Sequence, residues 1–185
     1  MVSVAMATTS EKQNNTNPPN GDEAEDSSAS NAYVDDVEAE ANANFHQLFT
    51  GQSSVDAVVE MLSRYKNSLA QRENLIFECM IANLFVEYRF FPKYPERQLK
   101  IVSILFGSII KHQLISSHRL KMALRQVLDP LRKPADSKMF LFGSIALEQF
   151  VNRSAELHQQ LSDLRTTHPE LVTVIDRISS NNSEP

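Results

Sequence analysis

The side chains that could perform chemistry in this 185-residue chain are few and scattered. They are five histidines, one cysteine and two serines that follow glycine: His46, His112, His118, His158, His168, Cys79, Ser108 and Ser144. Imidazoles and a thiolate could bind a metal ion, but no two histidines have the spacing of three or four residues that would place them on one helix face. The four glycines are isolated from one another, so a glycine-rich phosphate-binding loop is excluded.

The glycine-serine pairs and the cysteine could supply nucleophiles. The segment Leu105–Ile109, which contains Ser108, lacks the second glycine of a nucleophile elbow and falls in a predicted helix, as does the segment around Ser144. Cys79 belongs to the apolar stripe of a predicted helix, so we expect a buried, unreactive thiol. A single cysteine also excludes an intrachain disulfide and favours a reducing compartment. We therefore predict that the chain is not an enzyme and uses no cofactor or metal.

Every periodic segment of the chain predicts a helix, and none shows the alternation typical of a strand. Seven helices are expected. In chain order, the first covers about 35–49, the second begins at Ser53 or Ser54, and the third covers about 72–90. The fourth begins at Pro95, the fifth at Ser116 or Ser117, the sixth at Asp136 or Ser137, and the last at Pro169. Short connections predict that consecutive helices pack antiparallel. The predicted fold class is all-α, with antiparallel helical hairpins stacked as a HEAT-like solenoid.

One segment of the sequence is repeated. Leu105–Ile109 recurs as Leu141–Ile145, 36 residues later, which is a spacing typical of helical-hairpin repeats. A chance match in a chain rich in Phe and Ile is the alternative. Both copies place a glycine, Gly107 or Gly143, within a helix at a cost of about 1 kcal/mol relative to alanine. We expect these glycines where two helix backbones approach closely.

Composition divides the chain into three parts. Residues 1–32 are polar, acidic and without apolar periodicity, so we predict that they are disordered. The helical repeat module is predicted over residues 33–180, with a disordered tail over 181–185. Nine acids and one lysine fall within residues 1–44, so the rest of the chain carries a net charge of +3 although the whole chain carries −5. There is no apolar signal segment and no apolar stretch long enough for a bilayer span, so we expect a soluble intracellular protein.

Two segments suggest binding. The basic residues that cluster between the fifth and sixth helices are Arg119, Lys121, Arg125, Arg132, Lys133 and Lys138. RNA binding through this cluster is one hypothesis, but an ordinary solvated helix face would look the same, and no aromatic side chains are interleaved for base stacking.

The densest aromatic segment is 85–95, which contains Phe85, Tyr88, Phe90, Phe91 and Tyr94. Two interpretations are open. Phe85 and Phe90 could belong to the core while Tyr88 and Tyr94 fix the following turn. Alternatively, the surplus aromatic side chains could line a groove for a partner's amphipathic helix.

The run from Phe77 to Pro95 resembles the tristetraprolin-binding domain of the large scaffold subunit of the CCR-NOT deadenylase complex. Four further segments agree with this family in order: Glu38–Phe45, Leu105–Ile110, Leu131–Pro134 and Asp136–Phe140. The resemblance covers about residues 36–150 with almost no gaps. It implies a stack of antiparallel helices of the HEAT or initiation-factor middle-domain kind, without catalytic activity.

Domains of this family dock a short amphipathic helix from RNA-binding repressor proteins of the tristetraprolin type. The resemblance therefore implies a non-catalytic scaffold module that promotes mRNA deadenylation, decay and translational repression. It implies a cytoplasmic location that includes mRNA-decay bodies, with the nucleus as a further compartment. Other CCR-NOT subunits would bind only through regions outside this chain, and direct RNA contact would be weak. The expected groove is lined by Phe85, Tyr88, Met139 and Phe142, with Asn83 and Lys138 at its edge.

The sequence departs from the family pattern in two places. Pro130 stands where the family has a small helix-forming residue, and its ring would clash with the Gln126 carbonyl and kink the fifth helix. After Arg153 the chain is shorter than the family pattern and lacks a tryptophan-containing segment. We therefore expect either a fragment of the scaffold or a free-standing shortened copy.

Overall fold

The computed structural model describes residues 25–151, 162, 166 and 169–181, and all regular structure within them is helical. The α-helices are α1 (Glu25–Thr50), α2 (Val55–Lys66), α3 (Gln71–Glu87), α4 (Glu96–Lys111), α5 (Ser117–Leu128), α6 (Lys138–Phe150) and α7 (Val172–Asn181). Short 3-10 helices lie at Tyr88–Lys93, Asp129–Arg132 and Pro169–Leu171. The all-α prediction is confirmed.

The helices are arranged in two layers. α1 packs against α3 in one layer, while α2 packs against α4 and α4 packs against α6 in the other. The contact between α4 and α6 is the most extensive of these, and α7 packs against α6. This arrangement of stacked hairpins is the HEAT-like solenoid that the sequence predicts.

Two serines explain where helices begin. Ser54 Oγ accepts a hydrogen bond from the Ala57 N–H at 3.1 Å, and Ser137 Oγ accepts one from the Phe140 N–H at 3.1 Å. Each bond satisfies a donor that the first turn of a helix would otherwise leave free. Ser116 occupies the equivalent position before α5, but its side chain makes no capping hydrogen bond.

The first helix begins at Glu25 and not at the predicted Asp35. Segment 25–32, which we predicted to be disordered, is therefore helical. Residues 29–36 are exposed and the buried face begins at Val37, so a lack of apolar periodicity did not exclude a helix here. Once a helix is nucleated, favourable residues such as Ala29 and Ala32 extend it at little cost. The other residues predicted to be disordered, 1–24 and 182–185, lie outside the described residues.

Prolines end two helices, and α3 ends earlier than the predicted residue 90. α3 ends at Glu87, and the chain continues as the 3-10 helix Tyr88–Lys93, because Pro92 lacks an N–H and disfavours the α conformation at the preceding residue. α5 similarly ends at Leu128, where the 3-10 helix containing Pro130 begins. Pro130 thus ends the α-helix, and the predicted kink within it is wrong.

The two glycines of the sequence repeat lie at close helix contacts, as we expected. A Cβ atom on Gly107 would clash with the backbone carbonyl oxygen of Ala146 in α6. A Cβ atom on Gly143 would lie 2.7 Å from the carbonyl oxygen of Val127 in α5. Gly107 therefore contacts the next hairpin, whereas Gly143 contacts the first helix of its own hairpin. The two copies of the repeat are not equivalent in their contacts.

Candidate functional site

A continuous aromatic cluster joins α1, the end of α3, α4 and α6. Its members are Phe45, Phe49, Phe85, Tyr88, Phe91, Tyr94, Phe106 and Phe142. Phe142 lies at its centre, with ring centroids 5.1 Å from Phe91 and 5.4 Å from Phe106. Tilted and edge-to-face contacts of this kind add to the free energy gained by burying the rings. The cluster thereby holds the turn between α3 and α4 against α6.

Tyr94 fixes this turn through both its side chain and its backbone. Its hydroxyl group donates a hydrogen bond to Glu87 Oε1 at 2.6 Å, and its carbonyl oxygen accepts one from Lys138 Nζ at 2.7 Å. Burial raises the pKa of Tyr94 above the ordinary value, and the hydrogen bond to Glu87 raises it further. The interpretation that Tyr94 fixes the turn is confirmed.

Phe91, and not Phe90, belongs to the core. The Phe91 side chain has no exposed surface, whereas 39% of Phe90 is exposed. The interpretation that placed Phe90 in the core is wrong, because the change to three residues per turn after Glu87 redirects the side chains that follow. The Arg89 guanidinium carbon lies 4.7 Å from the centroid of the Phe90 ring, within the range of a cation–π contact.

Two residues of the predicted groove are part of the core. Phe142 has no exposed surface and Met139 is 7% exposed, so neither lines an open groove in this structure. Phe142 instead supports Tyr88, whose ring centroid lies 5.7 Å away. Lys138 is exposed and bonds the Tyr94 carbonyl oxygen. These placements follow from how α6 meets the turn after α3, which local sequence does not specify.

Phe85 and Tyr88 are half-buried and retain some accessible surface. The Phe85 ring packs edge-to-face on Phe106 of α4, with centroids 5.7 Å apart. Burial raises the pKa of Tyr88 to about 12, and the carboxylate of Asp129 contributes to the increase. Tyr88 is therefore a neutral hydrogen-bonding group at physiological pH.

Asn83 lies on a different side of α3 from Phe85. Its Nδ2 atom is 3.6 Å from Cys79 Sγ, and Cys79 is close enough to α1 to be affected by the charge of Glu38. Burial raises the pKa of the Cys79 thiol, and the charge of Glu38 in α1 raises it further. Residues two positions apart are separated by about 200° around a helix, so Asn83 and Phe85 face different neighbours. The six residues predicted for the groove therefore do not form one continuous lining.

The structure reveals an apolar surface that the sequence reasoning missed. We call it the α3 outer face; it consists of Leu75, Ala82 and Val86 of α3 together with Phe90 of the 3-10 helix that follows. Val86 is 58% exposed, and Leu75 and Phe90 are each more than one third exposed. The buried stripe of α3, which includes Ile76, is sufficient to explain the helical periodicity of the sequence. The periodicity therefore does not indicate a second apolar stripe beside it. Adjacent exposed apolar side chains mark interaction surfaces more often than isolated ones do.

The basic cluster is partly occupied by contacts within the protein. Arg119 forms an ion pair with Glu78 at 2.7 Å, and Arg132 forms one with Glu170 at 2.9 Å. Lys138 already bonds Tyr94. Lys121, Arg125 and Lys133 are exposed. RNA phosphates would therefore have to compete with these protein contacts for three of the six cations. RNA binding by the basic cluster stays a prediction.

The described part of the chain contains no group of three or more His, Cys, Asp or Glu side chains placed to hold a metal ion. The raised pKa of Cys79 disfavours the thiolate, which is the reactive form. Nor does any helix among the described residues have the length and apolarity needed to span a bilayer.

Comparison with known proteins identifies one matching family model and several curated relatives. The family model for the CCR4-NOT transcription complex subunit 1 TTP binding domain matches residues 5–185. General negative regulator of transcription subunit 1 of Schizosaccharomyces pombe is 42% identical over 120 residues, which are 65% of this chain and 6% of that protein. The Caenorhabditis elegans CCR4-NOT transcription complex subunit let-711 is 34% identical over 118 residues, 63% of this chain and 4% of that protein.

A relative from Saccharomyces cerevisiae, also named General negative regulator of transcription subunit 1, is 33% identical over 136 residues, 74% of this chain and 6% of that protein. The solved N-terminal domain of yeast Not1 superposes with a TM-score of 0.70 at 30% identity, covering 80% of this chain and 28% of that one. The chain thus spans a small part of its curated relatives. The names of the family model and of the let-711 relative are those of a subunit of the CCR4-NOT transcription complex, which supports the prediction that the chain is not catalytic. Because the family model covers nearly the whole sequence, the chain belongs to the family of the CCR4-NOT transcription complex subunit 1 TTP binding domain.

Proposed function

We propose that this module is a non-catalytic docking unit of the CCR-NOT scaffold that binds a short amphipathic helix of a tristetraprolin-like RNA-binding protein. The observation that supports this most directly is the α3 outer face. Val86, near the end of α3, and Phe90, in the 3-10 helix that follows, are both exposed, while another side of α3 is buried in the core. A partner helix with apolar side chains at steps of three and four residues would cover this face and gain the free energy of removing it from water.

The side chains around the α3 outer face would orient the partner. Phe85 and Tyr88 flank it on the side of α4 and α6, and both retain accessible surface. Asn83 flanks it on the side of α1 and would offer an amide to the partner's backbone. The Arg89 guanidinium over Phe90 would contact an acidic group of the partner. Phe142 and Lys138 act indirectly, by holding Tyr88 and the turn in place, and Met139 belongs to the core.

Docking of this kind would bring message-bound repressor proteins to the deadenylase. The module would thereby promote mRNA deadenylation, decay and translational repression, while other CCR-NOT subunits bind other regions of the scaffold. We place this activity in the cytoplasm, including mRNA-decay bodies, with the nucleus as a further compartment. The names of the family model and of the curated relatives support this role.

Titration with an amphipathic tail peptide of the tristetraprolin type, followed by calorimetry, tests the proposal. We expect saturable binding that Val86→Asp weakens by at least about tenfold, because the new carboxylate would be buried without a partner. Leu69→Asp is the matched control, since Leu69 is fully exposed in the turn before α3, and Val86 lies near the far end of that helix, more than about 20 Å away. It should leave the affinity unchanged.

Tyr88→Ala provides a second measurement. It should weaken peptide binding while the far-ultraviolet circular dichroism spectrum stays helical. A helical wild-type chain that shows no saturable binding of the peptide would overturn the proposal. Equal losses of affinity in Val86→Asp and Leu69→Asp would show that the peptide does not dock on the α3 outer face.

A further inference from the structure

A cavity of about 400 Å³ lies at the other end of α3, where the end of α2 meets the loop between α4 and α5. Its base is apolar, because the lining residues Phe77, Leu114 and Ile115 are each only 4% exposed. Its volume is within the range of sites that bind small ligands or single side chains of a partner. The proposed tristetraprolin-type docking centres on Val86 and Phe90, toward the opposite end of α3, and Leu75 is the one residue of the α3 outer face at the cavity's end. The cavity therefore requires its own explanation.

Two cations and one acid border the cavity. Lys66 Nζ donates a hydrogen bond to the Gln113 carbonyl oxygen at 2.8 Å, and Arg119 Nη1 lies 2.7 Å from Glu78 Oε2. An ammonium group has three donors and a guanidinium group has five, so each cation has donors beyond these contacts. The charged groups that line the cavity therefore favour an anion over a cation.

The start of α5 adds to this preference. Ser116 lines the cavity and precedes α5, but its side chain caps no N–H group, and the first turn of α5 contains no acidic residue. The partial positive charge at this helix end is therefore not offset by the helix's own residues. By itself this feature would define no site, but here it faces a cavity that already has two cations and an apolar base.

We propose that this cavity is a second docking site, which binds an acidic peptide segment of a protein partner. An apolar side chain of the peptide packs on Phe77, Leu114 and Ile115, and the neighbouring carboxylate lies between Lys66 and Arg119. The apolar base favours this occupant over a small inorganic anion, which would leave the base without contacts. The bidentate geometry of arginine suits a carboxylate, and Arg119 can bind it while keeping its contact with Glu78.

Chemical-shift mapping on the isotopically labelled full chain tests this inference. The probes are short blocked peptides in which leucine or phenylalanine alternates with aspartate or glutamate, the same peptides with lysine replacing each acid, and inorganic phosphate. We expect the acidic peptides to shift the amide signals of residues 113–119 and 74–78 and the lysine peptides to leave them unchanged. Phosphate should bind at least about tenfold more weakly than the acidic peptides because it cannot use the apolar base.

Three variants separate this site from general attraction of acidic peptides. Arg119→Ala should weaken binding of the acidic peptides about tenfold, because a charge-assisted hydrogen bond is lost. Lys121→Ala removes an exposed cation from the same helix without touching the cavity lining and should leave the affinity unchanged. Glu78→Gln should strengthen binding about threefold, because it removes the one acid of the lining while the exposed ion pair contributes little to folding.

The opposite changes in Arg119→Ala and Glu78→Gln cannot both arise from unfolding. Shifts confined to other surfaces would overturn the proposal. So would equal losses of affinity in Arg119→Ala and Lys121→Ala, and so would phosphate binding as tightly as the acidic peptides.

Discussion

Gly107 of α4 lies against Ala146 of α6 so closely that a methyl group on Gly107 would overlap the Ala146 carbonyl oxygen and contact Gln149. The two helices make the most extensive contact between helices in the described residues. The absence of a side chain at Gly107 therefore sets how closely the second hairpin approaches the third. It explains why a residue unfavourable in helices occurs in the middle of α4.

Replacing Gly107 with alanine tests this close approach through the sign of the stability change. Helix propensity alone would make Gly107→Ala stabilising by about 1 kcal/mol. Because the obstructing atom belongs to the backbone, we expect instead a net loss of about 1–3 kcal/mol, as for other overpacked cores. Urea unfolding measures the difference. A gain in stability would show that the helices do not meet at this position.

The capping serines form a matched set. Ser54→Ala and Ser137→Ala should each lower the free energy of unfolding by about 1 kcal/mol, because each removes a hydrogen bond to a backbone N–H in the first helical turn. Ser116→Ala should be close to neutral, since the Ser116 side chain makes no such bond. Thermal denaturation of the three variants gives the comparison, and equal losses in all three would contradict the assigned caps.

Substitutions at Phe142 and Val86 should affect different properties, the first the stability of the fold and the second the affinity for the peptide. Phe142→Ala removes a fully buried ring that contacts three other aromatic rings, so we expect a loss of about 3–5 kcal/mol. Val86→Ala removes exposed methyl groups and should change stability by no more than about 0.5 kcal/mol while weakening peptide binding. Chemical denaturation and peptide titration, run on both variants, check these outcomes. A stable Phe142→Ala variant would place Phe142 outside the core.

Tyr88 should make stability fall at alkaline pH. Its pKa is about 12 in the folded chain and about 10 in an unfolded one, so the folded state holds a proton that the unfolded state loses. Its contribution to stability is fully present below pH about 10 and is lost as the pH rises toward about 12. Tyr94 acts in the same direction, because burial and Glu87 raise its pKa.

Unfolding midpoints in urea, measured across this alkaline range, should decline less steeply for Tyr88→Phe than for the wild-type chain. Other groups titrate in the same range, so the difference between the two proteins carries the information. Phenolate absorbance supplies a direct check. The difference between the absorbance titrations of the folded wild-type chain and the folded Tyr88→Phe variant gives the ionisation of Tyr88 alone. If that ionisation occurs at pH about 10, burial does not hold Tyr88 in its neutral form.

Much of the fold could be predicted because its signals are local. The periodicity of apolar residues specifies the helices, Ser54 and Ser137 specify two of their starts, and Pro92 specifies where α3 cannot continue. The close contact at Gly107 was also predictable, since a helix accepts the cost of glycine only for a packing reason. The family resemblance arose from the run Phe77 to Pro95, whose composition is unusual enough to be recognised without a structure.

The sequence by itself determined an all-α module of a known family, because helix formation, capping and breaking depend on residues close in the chain. Only the tertiary structure decided which aromatic side chains remain accessible. The 3-10 helix after Glu87 buries Phe91 and exposes Phe90, and the docking of α6 buries Phe142 beneath Tyr88. The ion pair of Arg119 with Glu78, and the cavity beside it, likewise exist only because α5 lies near α3. The exposure of a side chain and its ion-pair or packing partners depend on residues distant in sequence. The periodicity of apolar residues along one helix does not indicate which neighbouring helix covers each of its sides.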